Sequence, residues 1–98
     1  MSRLYCITRE DLTFGQKAAQ LCHAATQYLI DHPDTEWDNG FIICLQVKDL
    51  KELSDLEEKM RGSSKKFSRF VEPDMENELT SISAVDCGKS FANLKLLR

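Results

Sequence analysis

Gly40-Phe41-Ile42-Ile43-Cys44-Leu45-Gln46-Val47 is the stretch that decides the fold class. Almost every residue in it is apolar, so it lacks the alternation of a half-exposed strand. A run of this kind is expected in the middle of a parallel sheet, covered on both faces. Its uninterrupted apolar part, Phe41 to Leu45, is far shorter than the ~20 residues that cross a bilayer. A parallel strand needs a crossover on each side, and the flanking sequence supplies both.

Upstream, residues 13–31 have a helical pattern. At 100° per residue, Phe14, Ala18, Leu21, Cys22, Ala25, Tyr28 and Leu29 gather into a stripe expected to face the core. Gln16, Gln20, His23 and Gln27 stack in a polar column on the opposite side. His32-Pro33 ends this helix, because the residue before proline is pushed out of helical geometry. Arg3 to Thr8 reads as a buried strand, which Arg9-Glu10-Asp11 interrupts with charge. Downstream, Asp49 with Glu52 three residues on resembles a capping box, and Leu50, Leu53, Leu56 and Met60 form the stripe of a second helix. Gly62-Ser63-Ser64 stops it. Residues 67–71 read as a third strand, 72–78 as an acidic loop, 79–85 as a fourth strand and 86–94 as a closing helix with Phe91 and Leu94 inward. Two right-handed crossovers make the first three strands parallel, and loops 9–15 and 72–78 then share the edge where open α/β sheets hold ligands.

With 98 residues, 42% hydrophobic and 30% charged, the chain is expected to form one domain over residues 1–98. A core of that size demands no cofactor or metal. The net charge of −3 disfavours a general binder of phosphate backbones. Cys6, Cys22, Cys44 and Cys87 include no Cys-x-x-Cys pair, so reduced thiols are expected instead of a metal centre. The start, Met1 to Tyr5, lacks the pattern of a secretory signal, and the expected location is cytoplasmic.

Four groups of residues could carry chemistry. The helix start Thr13-Phe14-Gly15-Gln16-Lys17 offers free N–H groups to an anion or a developing oxyanion. The column Gln16, Gln20, His23 and Gln27 offers amides for hydrogen bonding and one imidazole for acid–base work; a solvated helix face is the plain alternative. Glu72-Pro73-Asp74-Met75-Glu76-Asn77-Glu78 crowds four carboxylates, suited to a general base or a divalent cation, although no calcium-loop motif matches. Glu72 stands out because it ends the third strand. Lys65-Lys66 with Arg69, and Lys89 with Lys95 and Arg98, could meet the phosphates of a tRNA acceptor stem.

Gly15-Gln16-Lys17-Ala18-Ala19-Gln20-Leu21-Cys22-His23-Ala24 resembles the helix-start signature G-K-x-A-A-Q-x-x-H-A of the type 2 peptidyl-tRNA hydrolases. The order of the other elements is similar along essentially the whole chain. The resemblance implies a three-layer α/β/α sandwich with a four-stranded mixed sheet whose last strand is antiparallel. It also implies hydrolysis of the ester between a peptide and the terminal ribose of tRNA, with no cofactor. Carried over by position, Gln16, Glu72 and Thr80 would be catalytic, and Gly15, Lys17, Gln20, His23, Lys65 and Lys66 would bind substrate. The chain departs from the family where Gln16 replaces the signature lysine and Pro73 follows Glu72 in a shortened loop, which looks like a divergent branch. Losing an ammonium from the transition state would cost ~3 kcal/mol, about a hundredfold in rate. The rival reading is a non-catalytic module that uses the same edge to bind a nucleotide end, a peptide or a protein; a metal-dependent hydrolase on the acidic loop ranks third. The expected partner is peptidyl-tRNA or a tRNA acceptor end, with no membrane and with a homodimer left open.

Overall fold

The computed structural model describes residues 3–85 and 90–97. Its elements are β1 (Arg3–Arg9), α1 (Phe14–Asp31), β2 (Phe41–Val47), α2 (Leu50–Gly62), β3 (Ser68–Glu72), a 3₁₀ turn (Pro73–Met75), β4 (Glu78–Val85) and β5 (Lys95–Leu96). The described strands form one mixed sheet in the order β3-β4-β1-β2-β5. β1 and β2 are parallel, β4 is antiparallel to both β1 and β3, and β5 is antiparallel to β2. β1, β2 and β3 therefore run in one direction, as the two crossovers require.

The expected four-stranded sheet is corrected to five strands by Lys95–Leu96, which pairs with Gln46 and Leu45. Leu97 N–H adds a bond to Cys44 O at 3.0 Å. A two-residue strand is too short to show a period. The closing helix expected over residues 86–94 lies partly outside the described residues; residues 90–93 form a turn, with Leu94 N–H on Phe91 O at 3.1 Å. Phe91 is nevertheless buried, as expected.

Alternation along β1 divides the interior into two clusters. Leu4 and Cys6 meet Leu21, Ala24 and Tyr28 of α1. Ile7 joins Leu45, Val47, Ile82 and Ala84 of the sheet with Leu53, Leu56 and Met60 of α2. The helices thus pack on opposite faces. β2 is covered only in its second half: Leu45 to Val47 are buried, whereas Phe41 and Ile42 are 46% and 48% exposed. α1 lies over β1, β3 and β4, which leaves the start of β2 without a helix above it.

The stripe expected to face the core from α1 is also corrected. Phe14 is 78% exposed and Cys22 and Leu29 are exposed, while Gln20, Leu21, Ala24 and Tyr28 are the buried residues. The sheet beneath α1 explains the roll. Thr80 and Ser83 are fully buried and donate to Gln20 Oε1 at 2.6 Å and Ala24 O at 2.7 Å. Buried hydroxyls need partners, so the helix turns an amide-bearing edge toward them instead of its most apolar one.

Arg9 closes the far end of β1. It belongs to the strand and is 6% exposed. Its Nε and Nη2 donate to Asp11 at 3.0 and 2.8 Å, and Nη1 donates to Glu78 Oε1 at 2.6 Å and Leu79 O at 3.2 Å. One guanidinium thereby joins the end of β1 to the start of β4. The Arg9 hydrogen bonds hold the Asp11 carboxyl below its ordinary value of 3.8. Arg9→Met is expected to cost about 2 kcal/mol in urea unfolding at neutral pH, the scale of lost charged hydrogen bonds. Because the folded Asp11 value is depressed, its contribution is present above pH 3.8 and is lost as pH falls below it. Wild-type stability should therefore drop more steeply than that of Asp11→Asn in an acid titration over that window.

Candidate functional site

Helix α1 begins with a capping box. Thr13 Oγ1 accepts Gln16 N–H at 3.2 Å, and Gln16 Oε1 accepts Thr13 N–H at 2.9 Å. Gln16 is therefore folded back on its own helix end. The Thr-x-x-Gln spacing carried this signal in the sequence. At α2, Asp49 Oδ1 accepts Glu52 N–H at 3.0 Å as expected, but Glu52 Oε1 takes the Lys48 N–H at 2.7 Å instead of the cap N–H.

β3 ends at Glu72, where Pro73–Met75 turn the chain toward β4. Glu76 and Asn77 complete the reversal with φ of 55° and 60°, and Asn77 N–H donates to Glu72 O at 3.0 Å. Two successive left-handed residues make a sharp corner, which Asn tolerates better than Glu. The corner carries Asp74 and Met75 to the start of α1. Gly15, Gln16, Ala19, Gln20, Glu72, Asp74 and Met75 together line a depression of about 290 Å³. A Cβ on Gly15 would meet nothing within 4 Å, so packing does not require glycine there.

Thr80 reaches this region through a break in the β3–β4 ladder. Phe70 pairs with Ser81 and Val71 with Leu79, which leaves Thr80 as the extra residue of a bulge. Leu79, Ile82 and Ala84 belong to the cluster beneath α2. Strict alternation would have pointed Thr80 the same way as Ile82. The bulge instead turns its hydroxyl toward α1, where it donates to Gln20 Oε1 at 2.6 Å. Thr8 Oγ1 donates to Thr80 O at 2.8 Å. With its oxygen engaged by Thr80, Gln20 presents its Nε2 to Glu72 Oε1 at 3.0 Å. Gln20 is only 2% exposed, so this amide is a fixed bridge between hydroxyl and carboxylate.

The remaining candidates are distributed unevenly. His23 stacks on Phe70, with ring centroids 4.1 Å apart and planes 11° from parallel. Although it belongs to the polar column, it does not line the depression. Lys17 points away from it, its Nζ 3.5 Å from Gln46 Oε1. Lys65 and Lys66 line a separate cavity of about 470 Å³ with Asp31 and His32. That cavity adjoins the C-terminal end of α1, a helix roughly 27 Å long, so these lysines are not gathered with Glu72. Lys89 and Arg98 lie outside the described residues.

Burial pushes the Cys6 thiol up to about 12 and raises Cys44, which keeps both protonated. Cys22 is free and exposed, and Cys87 lies outside the described residues. Among the described residues, no group of three or more His, Cys, Asp or Glu side chains is arranged to hold a metal ion. No described helix is long and apolar enough to cross a membrane.

No protein-family model and no curated protein matches the chain. Solved structures do match, among them that of a protein of unknown function, Atu0240, from Agrobacterium tumefaciens strain C58. It superposes with a TM-score of 0.71 at 13% identity, over 99% of this chain and 98% of that one. Similarity at this identity shows the mixed α/β fold.

The geometry makes Thr80 the residue on which the bridge depends. Thr80→Val keeps the shape but strands the buried Gln20 oxygen, and should cost on the order of 1–3 kcal/mol in denaturant unfolding, with Thr80→Ser restoring most of it. A contrast between neighbouring serines checks the polar floor beneath α1. Ser81 Oγ is buried without a hydrogen-bond partner. Ser83→Ala should therefore destabilise by about 1 kcal/mol, whereas Ser81→Ala should be neutral or stabilising.

Proposed function

We propose that the chain is a peptidyl-tRNA hydrolase-like esterase, built as a three-layer α/β/α sandwich and acting in the cytoplasm. The observation that carries this reading is the fixed Thr80–Gln20–Glu72 chain of hydrogen bonds, which ends beside the start of α1 at one depression. A carboxylate held on one oxygen by a neutral amide keeps its other oxygen for a water molecule. Glu72 would take a proton from that water as its oxygen forms a bond to the ester carbonyl carbon. The carbonyl oxygen would gain negative charge near the first N–H groups of α1, and collapse would expel the terminal ribose oxygen, which recovers a proton.

Gln16 supports a weaker catalyst than a lysine would. Its side chain is a neutral amide whose oxygen accepts the Thr13 N–H, so it brings no cation to the carbonyl oxygen. Asp74 adds negative charge at the rim. This pairing of a locked amide with an acidic rim favours the second reading, a module that binds a chain end there without cleaving it.

Release of peptide from an N-blocked aminoacyl-tRNA by the purified protein separates the two readings. The esterase predicts turnover above background that falls about a hundredfold or more in Glu72→Gln. Equal background rates for wild type and Glu72→Gln would overturn it. If wild type binds but does not cleave, Gln16→Lys should raise hydrolysis where only the charged group is missing.

A further inference from the structure

Three residues on one face of β3, Ser68, Phe70 and Glu72, meet α1 in turn. Ser68 Oγ donates to Asp31 Oδ2 at 2.7 Å, the Phe70 ring lies against His23, and Glu72 Oε1 accepts Gln20 Nε2 at 3.0 Å. Arg69, between them, turns to the other face and pairs with Glu57 of α2 at 2.6 Å, as strand alternation requires. The His23–Phe70 pair is therefore the middle of three contacts along one seam, with a polar bond joining helix and strand on each side of it. Its rings are 4.1 Å apart and 11° from parallel. Phe70 covers one face of the imidazole while His23 is exposed, which leaves the other face open. A ring held in this way is a stacking surface for a second flat, π-bonded group.

The depression at the start of α1 lies one step along the same seam. Glu72 follows Phe70 by two strand residues, about 7 Å, and Gln20 precedes His23 by three helix residues, about 4.5 Å along the axis. The sugar hydroxyls and the base of one nucleoside are separated by a similar distance. At about 290 Å³ the depression stands near the lower limit of small-ligand sites, roughly 300 Å³, so a sugar fills it and an attached base lies beyond its rim. Gly15 and Ala19 precede His23 on α1 at spacings of four, and their small side chains leave the way from depression to ring low. The lining includes Glu72 and Asp74 and no cation, and no ion pair among the described residues takes either carboxylate. Phosphate is disfavoured there by charge. Hydroxyls are welcome, because carboxylates accept hydrogen bonds from them and acidic side chains hold ribose in dinucleotide sites.

We propose that this seam binds one nucleoside end, with the base stacked on the open face of His23 and the ribose in the depression, where Asp74 accepts a free sugar hydroxyl. The choice of a nucleoside rests on the reading of the depression as the place that receives the terminal ribose of tRNA. The esterified oxygen then lies at Glu72, and the base of that same nucleoside falls on His23. Recognition of this kind uses no phosphate, which suits an acidic rim on a chain of net charge −3.

NMR titration of the full chain with adenosine, dideoxyadenosine lacking both ribose hydroxyls, methyl ribofuranoside and N-acetyl-phenylalaninamide tests it. Adenosine should bind at least about tenfold more tightly than the ribofuranoside, which lacks the base, and than the phenylalaninamide, which offers a ring without the sugar. His23→Ala should weaken adenosine about fivefold or more, the lower end of what one stacked base contributes, and His23→Phe should restore it. Asp74→Ala should weaken adenosine several-fold and leave dideoxyadenosine unaltered. Absence of adenosine binding at millimolar concentration would overturn the proposal. So would equal binding of the ribofuranoside or the phenylalaninamide, or indifference of adenosine to His23→Ala. Failure of the esterase reading has a different signature: N-blocked aminoacyl-tRNA is not cleaved above background, while adenosine still binds in a His23-dependent manner and the nucleoside site stands.

Discussion

The hydrogen bond from Thr80 to Gln20 is the constraint on which the arrangement of this protein turns. Both side chains are buried, one on β4 and the other on α1, and each would be costly to bury alone. Their pairing fixes the roll of the longest helix over the sheet. It also fixes which end of the Gln20 amide faces Glu72. The exposed positions of Phe14, Cys22 and Leu29 follow from the same constraint, because a helix that turns its amide edge inward must turn another edge out.

A second polar anchor works at the same edge of the sheet. Arg9 ties the end of β1 to Asp11 and to the start of β4, and so holds the hairpin that carries Glu72 and Thr80. There the start of α1 faces an acidic corner with a fixed amide. One helical turn further, the same seam between α1 and β3 turns aromatic, where His23 lies on Phe70. One seam of a small sheet thereby offers two environments, because alternate residues of β3 meet α1 at successive turns.

Much of this was legible from periodicity, and the exceptions are instructive. α2 packs through Leu53, Leu56 and Met60 as its pattern indicates, since the sheet beneath it is apolar. The same reasoning failed for α1, whose floor includes the buried hydroxyls of Thr8, Thr80, Ser81 and Ser83. Counting apolar residues around a helix says nothing about what the opposing surface needs. The bulge at Thr80 left no mark in a strand of ordinary composition, and β5 is too short to show any period. The Thr13–Gln16 capping box, by contrast, was present in the spacing of the residues themselves.

By itself the sequence determined the order of the elements from β1 to β4, the limits of α1 and α2 to within a residue or so, and the position of Glu72 at the end of β3. Those features arise from local hydrogen bonding, capping and the one-dimensional rhythm of apolar side chains. Only the tertiary structure decided that Gln20 is a buried bridge, that Thr80 faces α1 and that Lys65 and Lys66 lie near the other end of that helix. The bonds from Gln20 join residues 52 and 60 positions apart. Whether such distant polar groups meet depends on how the sheet bends and the helix rolls, and no local pattern encodes that.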